Sequence, residues 1–333
     1  MAQFINMLRY LPLLVLLCGV SSCATLPKSF QTKDEIIAVG PGPEDMVIDT
    51  ITEQPRILIS CNARRKNQPD YGGIQAYFPA TGSLKYLKRT GEPESLRFNP
   101  HGIDLVKVNN DLILLVVNHE HDLHINSILR YKVLKDEIQF LTKIVDPLIP
   151  SPNAVTGFSD GTILISNDAK KPGAWADVLF KIKRAQVAYW NGSTCSVAAE
   201  KFCYTNGITI RDNKKVYLAS TRQNAVWQFD WENGKMINKE KLATVKGADN
   251  IRFDGDDLLV AGHLRFMKFL KHVKDSANYS PTTVYRINPT TKKRTVEYFD
   301  EGQQLSAGST ALMFRGALYV SGIFDAKIVR KGK

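Results

Sequence analysis

Six short runs along this chain resemble one another: ILISC (Ile57–Cys61), LLVVN (Leu114–Asn118), ILISN (Ile163–Asn167), VYLAS (Val216–Ser220), LLVAG (Leu258–Gly262) and LYVSG (Leu318–Gly322). Each is three apolar residues followed by mostly small ones, and most follow a turn such as SDG, DNKK, DGDD or RG. Successive runs begin 57, 49, 53, 42 and 60 residues apart, a mean of about 52. Short apolar runs bounded by Gly, Asp and Asn, with no sustained helical period, read as strands. Self-similarity of antiparallel strands at this period marks a β-propeller with one blade per repeat. The expected fold is therefore all-β, with six blades around a central channel.

The remaining composition agrees with one large fold. The chain has 333 residues, 44% of them apolar and 23% charged, which excludes a disordered or low-complexity protein. That length admits two domains or one propeller, and the repeat selects the propeller. Five cysteines are too few for a disulfide scaffold. Cys61 stands alone in an apolar strand and reads as a core residue. Cys195 and Cys203 are eight residues apart in a stretch that reads mainly as strand, about 26 Å when extended, so a bridge would require the strand to break. The net charge of +11 suggests an acidic partner without naming one.

The first residues form a separate unit. A single cation, Arg9, precedes an apolar run from Leu11 to Val20 and then small residues, the layout of an export signal. The run is short for a membrane span, which needs about 20 apolar residues, although an uncleaved anchor is the alternative. Val20-Ser21-Ser22-Cys23 resembles the processing box of bacterial lipoproteins, in which the cysteine is lipidated and becomes the mature N-terminus. On that reading residues 1–22 are a signal peptide, 23–38 a tether and 39–333 the propeller. Loss of Arg9 takes the net charge from +11 to +10. The mature chain is expected to be exported and lipid-anchored to the cell envelope, facing the periplasm.

A second series lies nine to thirteen residues upstream of the first: PEDMVI (Glu44, Asp45), PHGIDL (His101), PNAVTG (Asn153), TNGITI (Asn206), ADNIRF (Asp249, Asn250) and GSTALM (Ser309, Thr310). Each opens on a polar residue and leads by a turn into the first series. The innermost strands of a propeller run parallel to its axis and all point one way, so these residues converge on one mouth of the channel. Carboxylates and amide oxygens without thiolate are hard donors, suited to Ca²⁺. Glu44 and Asp249 balance the dication, and the asparagines complete its shell. The strand after each turn returns to the same mouth, which brings His119, Asp168, Thr221, His263 and Ile323 there. His101 and His119 belong to one blade and form a plausible pair, with imidazole suited to general-base work near neutrality.

At these residues the chain resembles the paraoxonase/arylesterase family. The likeness rests on FNPHGI (Phe98–Ile103), LLVVNH (Leu114–His119), TNGITI with Asn206, ADNI (Ala248–Ile251) and AGST (Ala307–Thr310), and runs from about Gly40 to Val329. The resemblance implies a six-bladed propeller with two calcium ions in its tunnel, hydrolysing lactones and aryl esters. It implies that Glu44, Asn153, Asn206, Asp249 and Asn250 hold the catalytic ion and that His101 and His119 activate water. It further implies a second, structural ion at Asp45 and the carbonyl of Ile103, but the acid expected after Asn153 is Ala154. A disulfide between the chain ends is also implied, and its positions fall near Lys33 and at Arg330. Closure of the ring must then rest on strand pairing between the first and last blades. The Asn-Asp-His segment of the family is Asn167-Asp168-Ala169 here, and Gly262 stands where the family has a free cysteine.

Two other motifs point elsewhere. HEHDLH (His119–His124) lacks the HExxH order and the cysteines of a zinc site, so His121 and His124 are expected in a loop. RFMKFLKHVK (Arg265–Lys274) puts Phe266, Phe269, Leu270 and Val273 on one helical face, suited to covering the channel mouth or resting on an anionic membrane. The basic residues are scattered and no nucleic-acid motif accompanies them. The reading is a calcium-dependent lactonase/arylesterase in which His101, assisted by His119, takes a proton from water and Asp168 orients one histidine. The alternatives are a gluconolactonase-type sugar-lactone hydrolase, a non-catalytic calcium-stabilised binding propeller, and a protein acting through its basic face.

Overall fold

In the computed structural model, residues 34–332 are described, apart from 66, 67, 69 and 172; the signal segment, Cys23 and most of the tether lie outside them. Six sheets are arranged in sequence order, antiparallel except for Lys88–Thr90, which pairs parallel with Glu137–Ile144 at the edge of blade two. Their innermost strands are Pro43–Asp49, Pro100–Val108, Pro152–Gly157, Thr205–Arg211, Ala248–Asp254 and Gly308–Phe314. Each touches the next and the last touches the first, which closes a ring of six blades. The repeated runs are the second strands: Arg56–Asn62, Asp111–Glu120, Ile163–Asn167, Lys215–Ser220, Asp257–Gly262 and Ala317–Gly322. Nearly all of their residues are buried, because both faces of a second strand pack against neighbouring blades.

The ring is closed by the chain's own beginning. Strand Glu35–Ala38 pairs antiparallel with Lys327–Lys331 and forms the outer edge of blade six. Among the described residues the propeller therefore takes in Glu35–Ala38, the last four residues of the segment read as tether. Glu35 faces Arg330 across the pair and accepts a 2.7 Å ion-pair hydrogen bond from its Nη1, so strand pairing closes the ring as expected. Cys61, Cys195 and Cys203 are free, the last two separated by the strand Cys195–Phe202. No helix among the described residues is long and apolar enough to cross a membrane.

One irregularity recurs in every blade and positions the site. The register between the first and second strands slips at Pro43/Asp45, Pro100/Ile103, Pro152/Ala154, Thr205/Ile208, Ala248/Ile251 and Gly308/Thr310. A bulge places an extra residue on one strand and re-aims its side chain. Those residues are Glu44, His101, Asn153, Asn206, Asp249–Asn250 and Ser309, the second series read from the sequence. A bulge also releases carbonyls from the ladder, and these need new donors. The hydroxyl of Ser60 donates to His101 O at 2.6 Å, that of Ser166 to Asn206 O at 2.6 Å and that of Ser309 to Glu44 O at 2.6 Å. The small residue after ILI in ILISC and ILISN is thus a link between blades. Gly102 has a similar reason, since a Cβ there would lie 2.4 Å from Asn153 O.

Candidate functional site

The bulged residues meet at one end of the channel in a cavity of about 170 Å³ lined in part by Glu44, His101, Asn153, Asn206 and Asp249. Glu44, Asn153, Asn206, Asp249 and Asn250 are all buried. Three of their oxygens, Glu44 Oε2, Asn153 Oδ1 and Asn206 Oδ1, have no hydrogen-bond partner. Orphaned buried acceptors are costly and rare. Here they come from blades one, three and four.

A second set of residues explains why oxygens face the cavity. The positions just past the repeated runs hold the ligand candidates, blade by blade. Asp168 accepts hydrogen bonds from Ser151 Oγ, at 2.5 Å, and from Tyr204 and Asn153, so the Asn153 amide is tied back by its nitrogen. Asn206 Nδ2 donates to Thr221 Oγ1 at 3.4 Å. His263 Nε2 lies 2.8 Å from Asp249 Oδ2. Asn250 Nδ2 donates to Glu44 Oε1 at 3.0 Å and to Thr310 Oγ1 at 2.9 Å. Tied in this way, Asn153 and Asn206 present carbonyl oxygens, which suit a hard cation and not an anion. The residues present therefore fit the calcium ion implied by the resemblance.

Asp168 does not orient a histidine, as the sequence reading had it. Its partners are Ser151, Tyr204 and Asn153, and burial pushes its carboxyl up to about 6. The two histidines of blade two do meet, with ring centroids 5.2 Å apart and planes at 83°. His119 Nδ1 is 2.7 Å from Asn126 Oδ1, and the Asn126 amide nitrogen donates to Pro150 O. Asn126 thus accepts, His119 carries its proton on Nδ1, and Nε2 is the free acceptor. His101 is the reverse. Arg64 Nη2 lies 3.2 Å from its Nδ1, and since a guanidinium only donates, the ring proton sits on Nε2, 3.8 Å from Glu44 Oε1. Burial holds both rings neutral. His119 is lowered to about 4, and His101 falls well below its usual value, with Arg64 and His119 adding to the effect of burial. Glu44 moves the other way, pushed up to about 8 by burial and by Asp45.

Arg64 was not read as a site residue. It lies two residues past the end of the second strand of blade one (Arg56–Asn62), whereas the position equivalent to His119, Asp168, Thr221, His263 and Ile323 in that blade is Asn62, so the repeat register does not point to Arg64. The apolar wall was half legible. Helix α2 (Phe266–Lys274) covers the mouth, with Phe266, Phe269, Leu270 and Val273 lining the cavity. Phe269 stacks on His263 at 4.3 Å. Val178, from the short helix α1 (Trp175–Phe180), and Tyr204 complete that wall without a sequence signal of their own. His121 lies in a short 3₁₀ turn and stacks on His119 at 5.7 Å.

Beneath this cavity, the second implied ion meets a different arrangement. Asp45 and the Ile103 carbonyl do face one another, but Arg252 reaches both, with Nη2 2.6 Å from Asp45 Oδ2 and 2.7 Å from Ile103 O. Ala154 is buried and offers no side-chain oxygen. These residues do not fit a cation site.

Comparison with known proteins agrees with the geometry. Residues 56–329 match the model of the Arylesterase family. The chain is 26% identical over 262 residues to mouse serum paraoxonase/arylesterase 1, covering 74% of this chain and 71% of that one. It is 26% identical over 238 residues to human serum paraoxonase/arylesterase 2, covering 68% and 67%. Among solved structures, a gluconolactonase from Xanthomonas campestris shares the fold with a TM-score of 0.57 at 14% identity, covering 89% of this chain and 86% of that one.

Proposed function

Because the chain belongs to the Arylesterase family, we propose that it is a calcium-dependent hydrolase of carboxylic esters, acting on lactones and aryl esters in the cavity under α2. The observation that carries this reading is the convergence of three unpartnered oxygens, Glu44 Oε2, Asn153 Oδ1 and Asn206 Oδ1, beside the Asp249 carboxylate. Glu44, Asn153, Asn206, Asp249 and Asn250 would hold the ion. When bound, calcium supplies a Lewis acid that polarises the ester carbonyl and offsets charge on its oxygen.

The chain's own groups supply the rest. His119 Nε2 is the acceptor for the proton lost by the attacking water, held in that tautomer by Asn126. His101 presents Nε2–H to the same region and donates to the oxygen that gathers charge. This exchanges the roles read from the sequence, and the Arg64 contact is the reason. Phe269, Leu270 and Val273 receive the apolar part of the substrate and keep bulk water from the carbonyl.

The mature chain is proposed to be exported and held at the envelope by lipid on Cys23. Leu179, Phe180 and Met267 stand 61%, 72% and 65% exposed beside the exposed Lys181, Lys183, Arg265, Lys268 and Lys271, a surface suited to anionic headgroups. Mass spectrometry of the mature N-terminus tests the anchor, since Cys23→Ser would leave an unprocessed chain. For the activity, the purified protein is assayed on γ- and δ-lactones, phenyl acetate and gluconolactone. Turnover of the simple lactones and the aryl ester is expected. Turnover of gluconolactone alone would assign it to the sugar-lactone class, and no turnover with calcium present would leave a binding propeller.

A further inference from the structure

We infer that the guanidinium of Arg252 is the resident cation of the lower channel, so that this protein takes up one calcium ion and ties its blades together there without a second. The count of one rests on the calcium site proposed above; the role of Arg252 does not. Arg252 projects from the inner strand of blade five and crosses the channel to blades one and two. Nε donates to Met46 O at 2.8 Å, while Nη2 serves both Asp45 Oδ2 and Ile103 O.

The contrast with the site above decides between metal and side chain. There, three oxygens have no donor. Here, both oxygens of Asp45 and the carbonyl of Ile103 are served. Asp45 Oδ2 also accepts from Ile103 N at 2.8 Å, and Oδ1 accepts from Met46 N and Thr310 Oγ1, both at 2.9 Å. The neighbouring Asp104 is engaged by Thr156 Oγ1 at 2.9 Å and Gly157 N at 3.1 Å. Calcium needs six to eight oxygens, and with Ala154 in place of an acid and the Asp45 oxygens already engaged the cluster lacks the number. The guanidinium is always charged, balances the Asp45 carboxylate, and through Nε and Nη2 reaches three acceptors on two blades. It is also covalently attached, so its occupancy does not depend on the calcium concentration outside.

The consequence is a separation of roles that is open to test. Calcium serves the reaction site, whereas the fold persists without it. Metal analysis of the full chain should find one calcium per chain, and the chelated protein should keep its β-sheet circular dichroism and rebind the ion without refolding. Arg252→Met should lower the melting temperature, and added calcium should not restore it. Arg252→Lys, which keeps the charge, should fall less and carries the comparison if the methionine variant fails to fold. The double variant Arg252→Ser with Ala154→Asp should gain a second calcium and a melting temperature that rises with calcium.

Two ions in the unmodified protein, or unfolding on chelation, would overturn the inference, as would an unchanged melting temperature in Arg252→Met. No calcium at all would overturn the reading of the upper site while leaving the Arg252 variants to decide this one.

Discussion

Arg64 Nη2 lies 3.2 Å from His101 Nδ1, so the His101 ring shows the cavity an N–H and not a lone pair. This relationship assigns the donor role to His101 and leaves the acceptor role to His119. In ¹⁵N-edited NMR spectra, His101 is expected as the Nε2–H tautomer. Arg64→Met should release the opposite tautomer, and an Nδ1–H form already present in the unmodified protein would exchange the roles back.

The same arginine sits beside Glu44 and Asp249, and its charge opposes a cation there. Removing it is expected to tighten calcium binding by about tenfold, since a like charge a few ångströms away costs on the order of 1–4 kcal/mol at effective protein dielectrics. Titration calorimetry of Arg64→Met against the unmodified protein checks this.

Without the ion, Glu44 is pushed up to about 8 by burial and by Asp45. At pH 7 the carboxyl therefore holds a proton that calcium must displace, so binding weakens as pH falls below about 8. The heat of binding at pH 7 should vary with the ionisation enthalpy of the buffer. A raised carboxyl pKa also means that the calcium-free protein loses stability as pH rises from 4.5 through about 8, a slope that calcium should abolish.

His119 is lowered to about 4, chiefly by burial. Its neutral, proton-accepting form therefore persists far below the usual histidine range. The acid limb of the rate profile, read with the site saturated in calcium, should fall near pH 4 and not near 6.5. Between those values the unfolded chain binds a proton at this position that the folded chain does not, so stability falls as pH falls through that window. His119→Gln should remove that part of the slope.

Phe269 stacks on His263 and lines the cavity, which makes it a substrate-facing wall and not a participant in proton transfer. Phe269→Ala should raise KM about tenfold, or ~1.4 kcal/mol, with a smaller effect on kcat. Steady-state kinetics on a hydrophobic lactone decides between the two parameters. At the ring closure, the 9% exposed Ile37 packs in the core shared by blades one and six, and Ile37→Ala should cost about 2 kcal/mol in a denaturant melt.

The blades were legible because a propeller repeats its solution. Burial on both faces forces three apolar residues into every second strand, and that constraint survives in Ile57–Ile59 as in Leu318–Val320. The ligand candidates were legible for the same reason, since a bulge at one register aims one polar residue per blade into the channel. What holds those residues was harder to read. For Asp168, only its contacts with Ser151 and Asn153 separate the role of an amide anchor from that of a histidine orienter. Arg252 had no signal at all. It sits in an inner strand as one more basic residue, and only the path of its side chain across the channel brings it to Asp45.

The central claim is that hydrolysis takes place at a calcium ion held by Glu44, Asn153, Asn206, Asp249 and Asn250. Hydrolysis of a γ-lactone, followed before chelation, after it and after calcium is restored, tests this most directly, with Asn206→Ala assayed in parallel. The account predicts activity that disappears with the ion, returns with it in the unmodified protein, and needs far more calcium in the variant. Turnover that continues undiminished with no calcium bound would contradict it.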